Sequence, residues 1–177
     1  KLVGAYTFTT ETLSPEDANG HGTHTASTVA GNYVTFDFMG VETTISGVAP
    51  HAQIIAYDVC DAGGCYSDGS AAAVQQAIIN GVDVINYSIS GGQSPYSDPV
   101  ELAFLEAFDA GIFVAASAGN LKTGEPTTDG MVNHLSPWVM TVAASSHNRK
   151  FTNDIDVVSP AGSIYVDMAQ IPGSGPI

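Results

Sequence analysis

The strongest chemical signal in the sequence is Asn-Gly-His-Gly-Thr-His-Thr-Ala-Ser, at residues 19–27. Glycines beside a histidine let the backbone approach another group closely, and the small residues that follow let a helix pack tightly. Packing alone does not explain this pattern, so His21 is a candidate functional residue. His21 and His24 would share one helix face, which also allows a metal pair. That alternative is weaker, since neither a His-Glu-x-x-His motif nor a third ligand accompanies them.

A second candidate is Asn120, which ends the run Ala-Ala-Ser-Ala-Gly-Asn at residues 115–120. A side-chain amide can donate hydrogen bonds to a developing oxyanion. An asparagine after Ala-Gly at a strand end can also be only a turn former. Both interpretations stay open on these residues alone, and the presence of His21 upstream favours the catalytic one.

These candidates need a scaffold that brings distant segments together, and the hydrophobic pattern predicts alternating strands and helices. The predicted strands are residues 2–6, 53–59, 82–88, 112–116 and 138–143. One predicted helix spans residues 68–80 before Gly81, and another begins at Ser97-Asp98-Pro99 and ends at Gly111. The predicted apolar faces are Ala72, Val74, Ala77 and Ile78 on the first helix and Leu102, Leu105 and Phe108 on the second. Near-continuous apolar strands between helices are typical of a parallel sheet covered on both faces, so the fold class is α/β.

Composition and charge argue against several classes of protein. Four Lys and Arg residues against eighteen Asp and Glu residues give a net charge of −14, which disfavours nucleic-acid binding. Hydrophobic residues make up 44% and charged residues 12% of the chain, unlike a disordered segment. Apolar runs stay well short of the roughly 20 residues of a membrane span. The sequence predicts an acidic, globular chain.

Four motifs in a fixed order carry a family resemblance. They are the His-Gly-Thr-His motif, Gly-Val-Ala-Pro at residues 47–50, Gly-Val-Asp-Val-Ile-Asn-Tyr-Ser at residues 81–88, and the run ending in Asn120. Their order and spacing over residues 1–147 resemble the subtilisin-like serine peptidases. Cys-Asp-Ala-Gly-Gly-Cys at residues 60–65, followed by Ser-Asp and an alanine-rich helix, is similar to the plant-type branch. The resemblance implies a three-layer α/β fold around a parallel sheet, here incomplete.

The resemblance assigns roles to individual residues. It implies that His21 is the general base and that Asn120 is the oxyanion donor. It implies a substrate-binding set made of Ser88, Ile89, Ser90, Ser117, Ala118 and Gly119. The backbone of residues 88–90 would pair with an extended substrate, as an added β-strand does. Ser90 stands where the family usually has glycine.

Cys60 and Cys65 are the only two cysteines, separated by a Gly-containing loop. On the residues alone they are either a disulfide or two reduced thiols. The resemblance favours the disulfide, and with it an oxidising compartment, so the parent protein is expected to be secreted or at the cell surface.

Two family motifs are absent from this sequence. No aspartate is followed by Thr or Ser and then Gly, and no Gly-Thr-Ser string occurs, so the triad acid and the nucleophile are expected outside the chain. Residues 1–150 are predicted to be a partial peptidase domain and residues 151–177 a tail leading toward an inserted domain. The chain alone is expected to be inactive and poorly folded, because a central strand and one covering helix would be missing.

The resemblance implies a secreted endopeptidase that cleaves peptide bonds through an acyl-enzyme. Its expected partners are peptide or protein substrates and the rest of the parent peptidase, with no metal and no cofactor. The alternative is a non-catalytic peptide-binding pseudo-peptidase, which is disfavoured because binding alone would not require both His21 and Asn120. An α/β-hydrolase is also disfavoured, because the sequence has no Gly-x-Ser-x-Gly motif.

The remaining polar candidates receive structural interpretations. Asp17 is expected to line the cleft or cap the helix that begins near His21. His51, His134 and His147 are expected to be ordinary surface or loop residues.

Overall fold

A computed structural model of the chain describes residues 1–10, 13–38, 40–120, 130–146 and 148, and the backbone of residues 156–159 and 162–165. Three helices and eleven strands lie in these parts. They are β1 (Leu2–Thr7), α1 (His21–Ala30), β2 (Val34–Phe38), β3 (Val41–Ile45), β4 (Ile54–Asp58), β5 (Cys60–Asp61), β6 (Gly64–Cys65), α2 (Ser67–Asn80), β7 (Val84–Tyr87), α3 (Pro99–Asp109), β8 (Phe113–Ser117), β9 (Met140–Val142), β10 (Asp156–Ser159) and β11 (Gly162–Tyr165). Within these parts, no helix is long and apolar enough to cross a membrane.

Parallel strands form the framework, as the sequence predicts. Strands β7, β8 and β9 are neighbours in one parallel sheet, and β1 pairs with β4 in parallel. All five predicted strands are present, each within one or two residues of its expected position except β9, which is shorter. Between the described strands, no ladder joins the β1–β4 pair to the β7–β9 sheet. This division fits an incomplete α/β fold with its central sheet in two parts.

Local sequence explains where α2 and α3 begin and end. Gly81 adopts a left-handed conformation (φ 68°) after α2, which glycine accepts without steric cost. Pro99 begins α3, where its missing N–H costs no helical hydrogen bond. The side chain of Asp98 accepts hydrogen bonds from the backbone N–H groups of Val100 (2.9 Å) and Glu101 (3.3 Å). Both helices therefore follow the cap signals that the sequence contains.

The predicted buried stripe of α3 is wrong in phase. Leu102 and Phe108 are 40% and 56% exposed, and Leu105 is only half-buried. The buried residues of α3 are Val100, Glu101, Ala103, Phe104 and Ala107. Both sets repeat at helical spacing, so periodicity alone cannot choose between them. Packing against α2 and β8 selects the face with small alanines, which lets the elements approach closely.

The face predicted for α2 is partly right. Val74 and Ala77 are buried as expected, whereas Ala72 is exposed and Ile78 is half-buried. The main hydrophobic core joins both helices to the β7–β9 sheet and consists of Val74, Val100, Ala103, Phe104, Ala107, Ile112 and Val114. This core holds one face of the sheet firmly against α2 and α3.

The other face of the β7–β9 sheet has no cover among the described residues. Val84, Phe113, Met140 and Val142 are between 49% and 58% exposed. Val84 is in register with Phe113, and Ser117 is in register with Val142, so these side chains share one side of the sheet. Apolar strands this exposed on one side are unusual for a parallel sheet.

Helix α1 packs against the segment that contains Gly-Val-Ala-Pro. Backbone N–H groups of Gly47 and Val48 donate to the carbonyls of Gly31 (3.0 Å) and Thr28 (3.0 Å). A Cβ at Gly47 would collide with backbone atoms of Ser27, Ala30 and Gly31. Glycine is therefore the residue that this close approach permits.

Two short hairpins lie outside the parallel framework. Strands β2 and β3 are antiparallel, and β5 and β6 are joined by a disulfide between Cys60 and Cys65, which lie opposite each other. In the predicted tail at residues 151–177, β10 and β11 form an antiparallel pair, and the rest of that tail lies outside the described residues. The domain boundary near residue 150 stays a prediction.

Candidate active site

Asp17 organises the turn that precedes His21. Its Oδ1 accepts hydrogen bonds from the backbone N–H groups of Asn19 (3.0 Å) and Gly20 (2.7 Å). Its Oδ2 accepts from the hydroxyl and the backbone N–H of Thr23, both at 2.7 Å. These hydrogen bonds hold the pKa of the Asp17 carboxyl well below its usual range, and the bond from the Thr23 hydroxyl has the largest effect. Of its two expected roles, the structure places Asp17 as a cap of α1.

His21 is the first residue of α1, and its side chain is exposed. Its backbone N–H donates to Oδ1 of Asn19 at 3.3 Å. In the described part of the chain, no hydrogen bond engages the His21 ring, and no group of three or more His, Cys, Asp or Glu side chains could hold a metal ion. The imidazole therefore projects from a fixed helix end and is accessible to other groups.

The two predicted substrate segments meet at one edge of the sheet. Tyr87 ends β7 and is in register with Ala116, one residue before the end of β8, so residues 88–90 and 118–120 leave the sheet side by side. The Ser117 hydroxyl donates to the carbonyl of Ile89 at 3.2 Å. Ser90 and Asn120 are exposed, whereas the residues between them and the strands are half-buried. This edge thus presents the segment that follows β7 beside the asparagine.

Asn133 ties these two segments together. Its Nδ2 and its backbone N–H both donate to the carbonyl of Ala118, at 3.0 Å and 3.1 Å. Its Oδ1 accepts from the backbone N–H of Gly91 at 2.8 Å. Gly119 has a φ of 86°, and a Cβ there would overlap the Asn133 side chain. The backbone just before Asn120 is therefore fixed by a residue whose role no local sequence pattern signals.

The expectation that His134 is an ordinary surface or loop residue is only partly right, because it lies in a loop but is buried and paired. Its side chain is 1% exposed and contacts Glu101, which is 0% exposed. Nδ1 of His134 lies 2.6 Å from Oε1 of Glu101, and Nε2 lies 2.8 Å from the carbonyl oxygen of Ile89. His51 is exposed as expected, and His147 lies outside the described residues. The buried pair lies directly behind the substrate segment.

The structure brings most of the predicted site residues together at one edge of the sheet, and His21 lies at the start of α1. The six substrate-segment residues and Asn120 lie at the edge formed by β7 and β8. In the described part of the chain, no hydrogen bond links His21 to that edge. The sequence did contain a signal for Glu101, because a residue three positions before Phe104 lies on the same face of the helix. That signal could be used only if the buried face of α3 had been predicted correctly.

Comparison with known proteins places the chain. The Subtilase family model, Peptidase_S8, matches residues 2–168. Two proteins of Arabidopsis thaliana are similar: Subtilisin-like protease SBT1.6 is 44% identical over 160 residues, which cover 86% of this chain and 20% of that protein. Subtilisin-like protease SBT1.3 is 43% identical over 152 residues, which cover 83% of this chain and 19% of that protein. The chain therefore spans about a fifth of the length of these relatives.

Solved structures agree. S41 Psychrophilic Protease has a TM-score of 0.57 and 30% identity, over 82% of this chain and 47% of its own. Sphericase has a TM-score of 0.54 and 27% identity, over 81% of this chain and 48% of its own. The family and fold expected from the four motifs are confirmed, and the chain belongs to the subtilase family.

Proposed function

We propose that this chain supplies the general base, the oxyanion donor and the substrate-pairing segment of a serine endopeptidase. In this proposal, the aspartate that orients His21 and the nucleophilic serine come from parts of the protein beyond these 177 residues. The proposal is supported by membership of the subtilase family and by the adjacency of residues 88–90 to residues 117–120.

His21 would act on the serine hydroxyl. A hydroxyl is a weak nucleophile at neutral pH, so a nearby imidazole must take its proton as the oxygen attacks the peptide carbonyl. The same imidazolium then returns the proton to the leaving amine. An exposed ring at the fixed start of α1 suits this exchange, because the proton must pass to groups outside the chain.

Asn120 would stabilise the negative oxygen of the tetrahedral intermediate. Its amide Nδ2–H groups can donate to an oxyanion, and preorganised donors lower the barrier because they need no reorientation during the reaction. Asn133 supports this role through its hydrogen bonds to Ala118 and its packing on Gly119, which fix the backbone leading to Asn120.

Residues 88–90 would hold the substrate as an added strand. The carbonyl of Ile89 points inward to Ser117 and His134. The backbone groups of Ser88 and Ser90 flank this anchored residue, and Ser90 is exposed. They can pair with the backbone of an extended peptide and align its scissile bond.

The observation that carries the proposal is the accessible His21 ring at the start of α1, within the His-Gly-Thr-His motif. His21→Ala in the full-length protein should lower kcat for a peptide substrate by at least about 10³-fold, because the base is lost. His51→Ala is a matched control, since His51 is exposed and outside the site, and it should retain wild-type turnover. Near-normal cleavage by the His21→Ala protein would refute the proposal.

A second substitution separates catalysis from peptide binding. Asn120→Ala should lower kcat by about 10²–10³-fold, which is the range known for loss of an oxyanion donor in subtilisin itself. A non-catalytic peptide-binding module would instead show binding and no turnover in the unaltered full-length protein.

The proposed location is outside the cell or at its surface. The disulfide between Cys60 and Cys65 supports this location, because disulfides persist in oxidising compartments. Mass spectrometry of the unreduced protein should find both thiols blocked. Two alkylatable thiols in the protein purified from its native source would contradict this assignment.

A further inference from the structure

Two buried titratable groups lie behind the proposed substrate segment. Glu101 is 0% exposed and His134 is 1% exposed, although charged side chains are almost never fully buried without a partner. Glu101 belongs to α3, and His134 follows it by 33 residues in a loop before β9. The general-base and oxyanion roles proposed above make no use of either group.

The hydrogen-bond partners of His134 and Glu101 determine how many protons the pair carries. Nε2 of His134 faces the Ile89 carbonyl oxygen, which can only accept, so Nε2 must carry a proton. Nδ1 faces Oε1 of Glu101, so another proton must lie between those two atoms. The hydroxyl of Ser136 donates to Oε2, and the indole N–H of Trp138 donates to the Glu101 carbonyl at 2.8 Å. The pair is therefore complete only in this protonated form.

The backbone of His134 is held to the same segment. Its N–H donates to the Gly91 carbonyl at 2.9 Å, and the next N–H, of Leu135, donates to the Gly92 carbonyl at 3.0 Å. His134 has a φ of 51°, a left-handed conformation that non-glycine residues adopt rarely and mainly where the surrounding structure enforces it. A Cβ at Gly92 would overlap both Glu101 and the His134 ring. Ring and backbone thus hold residues 89–92 from one side.

We propose that the protonated His134–Glu101 pair is a positioning device for peptide substrates, which sets residues 88–90 through the Ile89 carbonyl and releases them when its proton is lost. The proposal rests on the function proposed above for those residues. It assigns His134 and Glu101 no contact with substrate. It predicts that binding of an extended peptide weakens at high pH.

The groups around the His134 ring favour its protonated form. Burial by itself lowers the pKa of His134, but the hydrogen bonds to Glu101 and the Ile89 carbonyl, with the negative charges of Glu101 and Asp98, outweigh it and raise the pKa. The rings of Tyr87 and Phe104 pack edge-on against the imidazole. Burial also raises the pKa of Tyr87, so its phenol stays neutral where the histidine titrates.

The direction of the pH effect follows from the raised pKa. The stabilising contribution is fully present below about pH 6.5, the ordinary pKa of histidine, and is lost as pH rises through the higher folded value. After proton loss, the remaining ring N–H stays at Nδ1, because the Glu101 carboxylate is a stronger acceptor than a backbone carbonyl. The lone pair of Nε2 then faces the Ile89 carbonyl oxygen. The segment then loses its anchor.

The test uses the full-length protein with His21→Ala, which removes the proposed base and with it turnover. Binding of a six-residue peptide is measured from about pH 5 to about pH 10. Its Kd should rise about five- to tenfold with pH, the scale of one lost hydrogen bond, whereas a dipeptide too short to reach Ser90 should show no such rise. Adding His134→Gln should raise the Kd of the longer peptide and make it independent of pH. An unchanged pH dependence in this double variant would overturn the proposal.

A second measurement needs no substitution of His134 or Glu101, so it tests the proposal even if the His134→Gln protein does not fold. Nitrogen-15 NMR of the His21→Ala protein at about pH 7 should show both ring N–H protons of His134 in slow exchange with water. A single protonated ring nitrogen would also overturn the proposal. Retained turnover in the His21→Ala protein would contradict only the function proposed for His21, so the two failures are distinguishable.

Discussion

The two faces of the β7–β9 sheet differ sharply. On one face Val114 and Ala116 are 2% and 1% exposed, and Val114 belongs to the core that α2 and α3 form with the sheet. On the other face Phe113, adjacent in sequence to Val114, is 49% exposed. Apolar residues occupy both faces, so each strand is a near-continuous hydrophobic run. Such strands are typical of sheets that are covered on both sides. The difference shows that the described residues build one half of a two-sided core.

The largest expected effect concerns the chain by itself. Residues 1–177 expressed alone should be insoluble or molten, because uncovered apolar area costs about 25 cal/mol per Å² against a total stability of only about 5–15 kcal/mol. Near-UV circular dichroism and amide NMR dispersion measure this, with the full-length protein as control. A cooperative thermal transition with dispersed signals from the isolated monomer would show that the bare face is tolerated.

Two phenylalanines allow a direct test of the faces in the full-length protein. Phe104→Ala on the covered side should lower the free energy of unfolding by about 3–5 kcal/mol, because Phe104 is 0% exposed. Phe113→Ala should cost at least about 2 kcal/mol there if the remainder of the protein covers the second face. Urea denaturation measures both. A cost within about 0.5 kcal/mol for Phe113→Ala would mean that this face stays at the surface.

The smallest expected effect concerns α3, which packs on the buried face of the β7–β9 sheet. Asp98→Ala should lower the free energy of unfolding of the full-length protein by about 1 kcal/mol, because α3 loses the acceptor for two backbone N–H groups. Asp98→Asn keeps a capping oxygen and serves as the matched control, with a smaller loss. Equal losses in the two variants would indicate that charge, rather than capping, is what Asp98 contributes.

Local sequence determined the elements and the family of this protein. Asp98-Pro99 and Gly81 are signals that act through the backbone of their own neighbours, so the ends of α2 and α3 could be predicted closely. The motifs around His21 and Asn120 likewise need only their own residues to be recognised, and together with the two motifs between them they suffice to identify the subtilase family.

Tertiary structure decided which faces are buried and what lies behind the site. The spacing on α3 fits both the Leu102 set and the Phe104 set, and only contact with α2 and β8 selects between them. His134 and Glu101 are 33 residues apart, and no local pattern brings a loop histidine to a helix carboxylate. Their pairing depends on the fold as a whole, because the energy of a buried hydrogen bond appears only when distant segments have already excluded water.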